Sequence, residues 1–155
     1  MGLEIERKFL VNGDFKKDAF KSYHIIQGYI CRGTGRSVRI RVRDEEAFIT
    51  IKGKASKGGL SRFEWEKPIP VNEAMELLEL RDGALIDKTR HLVKAGSHVF
   101  EVDEFHGDNE GLVMAEVELG SEDETFERPF WLGDEVTGDR RYYNSSLTSN
   151  PFKDW

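Results

Sequence analysis

Apolar and charged residues alternate along several short stretches of the chain, and this alternation is typical of β-strands. In Glu4-Ile5-Glu6-Arg7-Lys8, side chains two apart share a face, so both glutamates and the lysine point to one side. Later stretches repeat the pattern, with β-branched or aromatic residues between the charged positions, as strands prefer. The pattern predicts eight strands, near residues 3–11, 23–32, 37–44, 47–53, 62–69, 85–95, 98–106 and 112–119.

Turn signals separate several strands, including Gly33-Thr34-Gly35 and the hairpin turn at Gly96-Ser97. Helices are fewer. Asn72 is positioned to cap a helix over 73–81. Further along the chain, Ser121-Glu122-Asp123-Glu124 has the spacing of a capping box and predicts a short helix over 122–127. A third helical turn is predicted around 15–21.

The order of elements predicts one domain, residues 1–155, of class α+β and mainly β. About eight antiparallel strands are enough for a barrel that holds a small ligand. The charged faces would then line the interior and the apolar residues would face outward, which inverts an ordinary barrel. The alternative is a sheet with one solvated face, whose charges lie in water. Same-sign pairs two residues apart are nearly as frequent as chance predicts, so the apolar residues between them carry the argument.

Composition narrows the function classes. The 155 residues carry a formal net charge of −6, which argues mildly against a protein that coats nucleic acid. No apolar run approaches the roughly 18 residues of a membrane span, and the N-terminus lacks the basic and apolar regions of a signal peptide. A single cysteine, Cys31, cannot form an internal disulfide, so a cytoplasmic location is expected. Outward apolar strand faces would need cover, and a homodimer is one way to provide it.

The charged residues suit a site that holds both a metal ion and a polyanion. Carboxylate oxygens are the ligands that Mg²⁺ and Mn²⁺ prefer, and arginine offers a planar fork to phosphate oxygens. Competing motifs fail, since Gly59 stands where a phosphate-binding loop of Walker type needs lysine. The basic, glycine-rich stretch Lys54–Gly59 is either a flexible solvated loop or a lid at a phosphate entrance.

The ordered series of motifs resembles the CYTH superfamily, which comprises class IV adenylyl cyclases and thiamine triphosphatases and is also called the triphosphate tunnel metalloenzymes. The resemblance covers nearly the whole chain and is greatest to the small bacterial inorganic triphosphatases. The motifs that carry it are Glu4-x-Glu6-x-Lys8, Arg39-x-Arg41, Thr50-x-Lys52, Glu64-x-Glu66, Lys88-Thr89-Arg90, Glu101-x-Asp103, Glu116-x-Glu118 and Thr137-Gly138-Asp139-Arg140-Arg141-Tyr142.

The resemblance implies an eight-stranded antiparallel tunnel that binds a triphosphate together with Mg²⁺ or Mn²⁺. By position, the implied metal ligands are Glu4, Glu6, Asp103, Glu116 and Glu118. The implied phosphate ligands are Arg39, Arg41, Lys52, Lys88, Arg90 and Arg140, although relatives often have lysine at the last position. Lys8 and Tyr29 match a catalytic lysine–tyrosine pair; Tyr29 is equally well explained as a strand aromatic.

The implied activity is hydrolysis of inorganic tripolyphosphate to pyrophosphate and phosphate. Within the family, the alternatives are a class IV adenylyl cyclase and a hydrolase of thiamine or nucleoside triphosphates. A cyclase must hold a base and sugar in a fixed orientation, and no sequence signal for such a pocket is present. A non-catalytic module that binds polyphosphate is the alternative from another class, because a basic cavity alone attracts a polyanion. Neither nucleic acid nor membrane is expected as a partner.

Overall fold

The computed structural model describes residues 2–33 and 35–155, so the predicted turn Gly33-Thr34-Gly35 contains one residue, Thr34, outside the described part. The strands are β1 (Gly2–Val11), β2 (Ala19–Gly33), β3 (Arg36–Arg43), β4 (Glu46–Ala55), β5 (Ser61–Ile69), β6 (Asp82–Ala95), β7 (His98–Phe105), β8 (Val113–Glu118) and β9 (Leu132–Glu135). The α-helices are α1 (Val71–Leu78) and α2 (Asn144–Leu147). Short 3₁₀ turns lie at Lys16–Asp18, Gly107–Asn109, Arg140–Tyr142 and Phe152–Asp154.

The first eight strands close into an antiparallel barrel, as predicted. Their order is β5-β4-β3-β2-β6-β7-β8-β1, and β1 closes the ring by also pairing with β5. The strand β1 divides its length between two neighbours, with Leu3 opposite Phe63 of β5 and Phe9 opposite Ala115 of β8. The ninth strand, β9, pairs with the end of β1 and was not predicted, because its four residues are too few to show alternation.

Two helix predictions need correction. Helix α1 begins at Val71 with Pro70 at its cap, so Asn72 lies within the first turn and does not cap it. Residues 122–127 are not helical. The Glu124 carboxylate accepts the N–H of Gly120 and pairs with His98 instead of serving a capping box. Around 15–21 only the 3₁₀ turn Lys16–Asp18 forms, and β2 begins directly after it.

Apolar packing lies mainly outside the barrel, which confirms the predicted inversion. One cluster joins Phe9, Phe100 and Val117 to Trp131, so the segment after β8 covers that sector of the outer wall. Helix α1 covers a second sector around Ile40. These two layers exclude water from the outer faces of most strands, which is what stabilises a barrel with a charged interior.

One end of the barrel interior is filled by apolar side chains. Ile86, Phe105 and Met114 pack there against Tyr142 and Leu147. Both belong to the C-terminal segment, residues 136–155, which follows β9. Because strand residues two apart share a face, these three strand residues lie on the same inner face as Lys88, Asp103 and Glu116. The C-terminal segment therefore closes this end of the tunnel, and we call this apolar cluster the plug.

A third sector of the outer wall is bare. Leu3, Phe63, Trp65 and Ile51 each keep between 38% and 65% of their surface exposed. Register places Leu3 opposite Phe63 and Ile51 opposite Trp65, so the four form one apolar stripe over β1, β5 and β4. Across residues 2–33 and 35–155, the helices are all too short or too polar to cross a membrane.

Candidate functional site

The barrel encloses a cavity of about 230 Å³ whose wall carries both signs of charge. Eleven of the thirteen side chains expected at the site line it. They are Glu4, Glu6, Lys8, Tyr29, Arg39, Arg41, Lys52, Lys88, Arg90, Glu116 and Glu118. Asp103 and Arg140 do not line it.

Strand register explains why the charges converge. Lys8 of β1 lies opposite Glu116 of β8, and Glu6 lies opposite Glu118. Each of these strands presents every second residue to the interior, so each pair brings charged groups together across one hydrogen-bonded strand boundary. The register between β3 and β4 likewise brings the basic residues of these two strands to one wall of the cavity, called the basic wall below.

The basic wall is held by hydrogen bonds. The Arg39 guanidinium donates to the Thr50 hydroxyl over 3.1 Å, and its Nε atom finds no acceptor within the described residues. Burial, with help from Arg39 and Arg90, lowers the pKa of Arg41 to about 9, so that side chain stays cationic at neutral pH. A buried cation with spare donors is suited to bind an anion.

Lys88 and Asp103 form the most buried ion pair of the site. Lys88 Nζ donates to Asp103 Oδ2 over 2.7 Å, and Arg90 donates to both oxygens of the same carboxylate over 2.7 and 2.9 Å. Burial lowers the pKa of Lys88 to about 7, although Asp103 opposes that shift. Burial alone would raise the pKa of Asp103, but the two cations outweigh burial and lower it. Asp103 is therefore ionised.

The structure therefore changes the interpretation of Asp103. It was expected among the metal ligands, yet all its hydrogen bonds go to cations and it lies behind the cavity wall. Its place is that of a counter-ion that fixes Lys88 and Arg90. Arg140, expected among the phosphate ligands, lies exposed in the 3₁₀ turn Arg140–Tyr142 and outside the cavity lining.

The acidic wall holds carboxylates close to one another. Burial, reinforced by Glu116 and Glu4, raises the pKa of Glu6 well above its ordinary value. Burial opposes the shift at Glu116, but Lys8 and a hydrogen bond from Glu6 outweigh it and lower the pKa of Glu116. The two carboxyl groups are therefore shifted in opposite directions, the pKa of Glu6 upward and that of Glu116 downward.

The remaining acidic ligands are engaged to different degrees. Glu4 accepts from Lys52 Nζ over 2.9 and 3.1 Å, while burial still raises the pKa of Glu4. Burial, Glu4 and Glu101 raise the pKa of Glu118. Within residues 2–33 and 35–155, no three His, Cys, Asp or Glu side chains are grouped as a ready metal site.

Lys8 and Tyr29 share the cavity without forming a hydrogen-bonded pair in the described part of the chain. Lys8 Nζ donates to the Tyr142 carbonyl over 3.2 Å and lies 3.7 Å from Glu116. The Tyr29 hydroxyl accepts instead from the Gln27 amide over 3.4 Å. Lys8 is thus held by the C-terminal segment, and Tyr29 by its own strand.

Several lining residues had no role assigned from the sequence. They are Ser37, Arg43, Arg62, Glu64, Glu66, Glu101, Thr137, Tyr143, Asn144 and Ser145. Strand alternation was a sufficient signal for Arg43, Glu64, Glu66 and Glu101. Thr137, Tyr143 and Asn144 belong to the C-terminal segment, where no strand period exists to mark them.

Two glycine turns meet at the cavity wall. Gly59 and Gly138 both line it, and both have positive φ, at 79° and 80°. A Cβ on Gly59 would lie 2.6 Å from Cα of Gly138, so the two backbones touch. The stretch Lys54–Gly59 therefore comprises the end of β4 and a turn that contacts the C-terminal segment, with the Gly59 N–H bonded to the Ser56 carbonyl.

We expect Gly138→Ala to lower both stability and activity. The added Cβ would lie 2.5 Å from the Gly58 carbonyl oxygen, in addition to the strain of a positive φ. We expect a loss of about 1–3 kcal/mol in the free energy of unfolding, measured by urea titration. Gly107→Ala is the control, because Gly107 has a φ of 63° with nothing within 4 Å of the added atom. Equal losses in the two variants would show that the contact between turns contributes nothing.

Comparisons with known proteins agree with the geometry. An inorganic triphosphatase from Acetivibrio thermocellus is 47% identical over all of this chain and 99% of its own. An inorganic triphosphatase from Nitrosomonas europaea is 40% identical, over 93% of this chain and 95% of its own. The crystal structure of an inorganic triphosphatase superposes with a TM-score of 0.67 at 35% identity, over 94% of this chain and 97% of that one.

A protein from Pyrococcus horikoshii OT3 has the same fold, with a TM-score of 0.62 at 22% identity, over 77% of this chain and 80% of its own. The CYTH domain family matches residues 2–149, which include every strand of the barrel. The chain therefore belongs to the CYTH domain family.

Proposed function

We propose that this protein is a metal-dependent inorganic triphosphatase, which hydrolyses tripolyphosphate to pyrophosphate and phosphate. The observation that carries the proposal is a cavity in which six of the expected cations, all buried or half-buried, face four of the expected carboxylates. Its volume of about 230 Å³ is below the range of roughly 300–1,000 Å³ typical of sites for drug-sized ligands, which favours a compact polyanion over a nucleotide. The two relatives named inorganic triphosphatase support the same assignment.

The basic wall would bind and neutralise the triphosphate. Phosphoryl transfer needs mainly positioning and stabilisation of charge, and fixed guanidinium groups supply both. The ion pairs with Asp103 hold Lys88 and Arg90 in place before substrate arrives, so little reorganisation is needed on binding. The apolar plug at one end of the tunnel would confine the chain of phosphates to the charged section.

The acidic wall fits a divalent cation. The negative charge of Glu116 and Glu4 helps to raise the pKa of Glu6, and a cation held between these carboxylates would relieve that repulsion. Glu4, Glu6, Glu116 and Glu118 would hold Mg²⁺ or Mn²⁺, with four hard oxygen donor groups. When bound, such an ion supplies charge neutralisation for the phosphates and lowers the pKa of a coordinated water.

We propose catalytic roles for Lys8 and Tyr29 from their places in the cavity. Lys8 is held beside Glu116 by the Tyr142 carbonyl, where its ammonium can bind a phosphate oxygen. Tyr29 is buried, and its hydroxyl is a neutral donor at the cavity wall. Neither role requires the direct contact between the two that the sequence comparison suggested.

The decisive experiment offers the purified protein tripolyphosphate, ATP and thiamine triphosphate in the presence of Mg²⁺ or Mn²⁺. Phosphate and cyclic AMP are both measured. We expect phosphate release to be fastest from tripolyphosphate and to stop when EDTA is added. Cyclic AMP without phosphate would contradict the proposal in favour of a cyclase. Tight binding of tripolyphosphate with no release from any substrate would identify a binding module.

We also propose a homodimer that buries the apolar stripe of Leu3, Ile51, Phe63 and Trp65. These exposed side chains lie between the two covered sectors of the barrel, and a second copy would complete the cover. Light scattering is expected to give twice the mass of 17.8 kDa, and Trp65→Lys to give the monomer. A wild-type monomer at high concentration would refute this.

We also propose a cytoplasmic location. An exposed free Cys31 supports it, because thiols stay reduced in the cytoplasm.

A further inference from the structure

Gln27 is the one glutamine of the chain, and it is fully buried beside the cavity without lining it. Its carbonyl oxygen accepts from Arg41 Nε over 2.8 Å. Its amide nitrogen donates to Asn144 Oδ1 over 3.2 Å and to the Tyr29 hydroxyl over 3.4 Å. A buried amide costs free energy unless its groups are bonded, and this one contacts three side chains of the cavity wall.

The orientation of this amide follows from its neighbours. Arginine and lysine side chains can only donate, so the oxygen of Gln27 must face Arg41. By the same rule, the oxygen of Asn144 faces Lys88, from which it accepts over 2.9 Å. The nitrogen of Gln27 is then left to donate to Asn144 Oδ1 and to Tyr29. The network has no second arrangement that satisfies both cations.

This orientation determines what Tyr29 offers to a ligand. Its hydroxyl oxygen accepts from Gln27, so the hydroxyl hydrogen is not used in that bond and can turn into the cavity. Arg41 is affected as well, because its Nε bonds to Gln27 while its two terminal nitrogens have no acceptor among the described residues and can make a bidentate contact with phosphate. The amide therefore orients one neutral and one cationic donor at once.

Asn144 extends the network to the C-terminal segment. It stands at the start of α2, next to the plug, and its oxygen holds both Gln27 and Lys88. Lys88 in turn pairs with Asp103. One chain of hydrogen bonds thus runs from Arg41 through two amides to the most buried ion pair of the site.

We propose that Gln27 is a positioning residue for tripolyphosphate hydrolysis: it directs the Tyr29 hydroxyl and the Arg41 guanidinium to the substrate and links both to Lys88 through Asn144. This rests on the proposed function. Partners one step behind a reactive site commonly change activity by about 10–100-fold when removed. We therefore expect Gln27→Met, which keeps the volume and loses the amide, to lower kcat/KM for tripolyphosphate by that factor.

A double-mutant cycle separates positioning from general stability. If Gln27 acts partly through the Tyr29 hydroxyl, Gln27→Met should lower kcat less in a Tyr29→Phe background than in the wild type. Equal factors in the two backgrounds would overturn the link to Tyr29. For the second amide, Asn144→Ala should lower kcat/KM, while Asn72→Ala, on the exposed face of α1, should leave it unchanged.

A measurement without substrate keeps the inference testable if the proposed activity fails. Labelling with ¹⁵N-glutamine gives a single pair of side-chain amide signals, since the chain has one glutamine. We expect two resolved proton signals with slow solvent exchange, and a shift of at least one of them in Tyr29→Phe. The inference would be overturned if the two proton signals were averaged, exchanged rapidly with solvent, and kept the same chemical shift in Tyr29→Phe. Absence of phosphate release by the wild type, with the expected spectrum, would instead reject only the activity.

Discussion

An Arg39→Ala variant is expected to hydrolyse tripolyphosphate with a kcat/KM about 10³-fold below the wild type, at the lower end of what one well-placed arginine supplies in phosphoryl transfer. The residue is 8% exposed, lines the cavity, and has a buried Nε atom with no acceptor in the described residues. Its remaining contacts, to Thr50 and Glu66, orient the guanidinium and leave donors for an anion.

The size of the effect distinguishes charge from geometry. A factor of 10³ corresponds to about 4 kcal/mol of lost transition-state stabilisation. Arg39→Lys keeps the charge but replaces a planar fork with a single ammonium, so we expect it to recover only part of the loss. Full recovery by lysine would show that charge alone is needed at this position. Initial rates over a range of tripolyphosphate concentrations give kcat and KM for each variant.

Two arginines serve as matched controls. Arg36 begins the same strand, β3, but is exposed and lies outside the cavity lining. Arg140 belongs to a family motif yet is also exposed and outside the lining. Alanine at either position is expected to change kcat/KM less than about threefold. A loss at Arg140 as large as that at Arg39 would show that the turn Arg140–Tyr142 moves to the substrate during the reaction.

The barrel and its charged wall could be predicted because strand geometry has a period of two. Once Glu4 and Glu6 are placed on a strand with an apolar residue between them, their shared face follows without further information. The register of β1 against β8 then brings them to Glu116 and Glu118, which the sequence order could only suggest. Period and motif order were therefore sufficient for most of the cavity lining.

The departures of the structure from the expected arrangement have different physical causes. Asp103 has the right period, but the pairing of β6 with β7 sets it opposite Arg90, and two cations take up its oxygens. Alternation indicates a face and says nothing about which neighbour captures a carboxylate. The segment 122–127 has the sequence pattern of a helix cap, but Glu124 pairs with His98 and the helix does not form. Asn144 reaches the site from a non-strand segment, where position depends on packing against the completed barrel.

A Glu6→Gln variant is expected to lose tripolyphosphate hydrolysis by at least about 10²-fold while the metal-free protein stays folded and at least as stable as the wild type. Burial raises the pKa of Glu6, so folding makes ionisation of this carboxyl less favourable. Glutamine is neutral and nearly the same shape, and it can still donate to Glu116. It removes an anionic oxygen donor, which Mg²⁺ and Mn²⁺ require.

The pH dependence of stability gives this prediction a sign. The pKa of Glu6 lies at 4.5 in an unfolded chain and higher in the folded one. The folded state therefore binds more protons between those two values, and this carboxyl contributes stability that is lost as pH rises through them. The Glu6→Gln variant lacks that group. We expect its metal-free unfolding midpoint to fall less than that of the wild type as pH rises above 4.5 through the folded pKa.

Titration with Mn²⁺ then tests the metal assignment without any substrate. A ligand at 100 times its Kd stabilises the folded state by about 2.7 kcal/mol, which raises the Tm of a chain of this size by roughly 5–10 °C. The wild type should show that rise, and Glu6→Gln should show little of it at the same concentration. Glu45→Gln, in the exposed turn after β3, should behave as the wild type. An unchanged Mn²⁺-induced rise in Glu6→Gln would place the metal elsewhere, because the variant would have lost a carboxylate that the ion does not use.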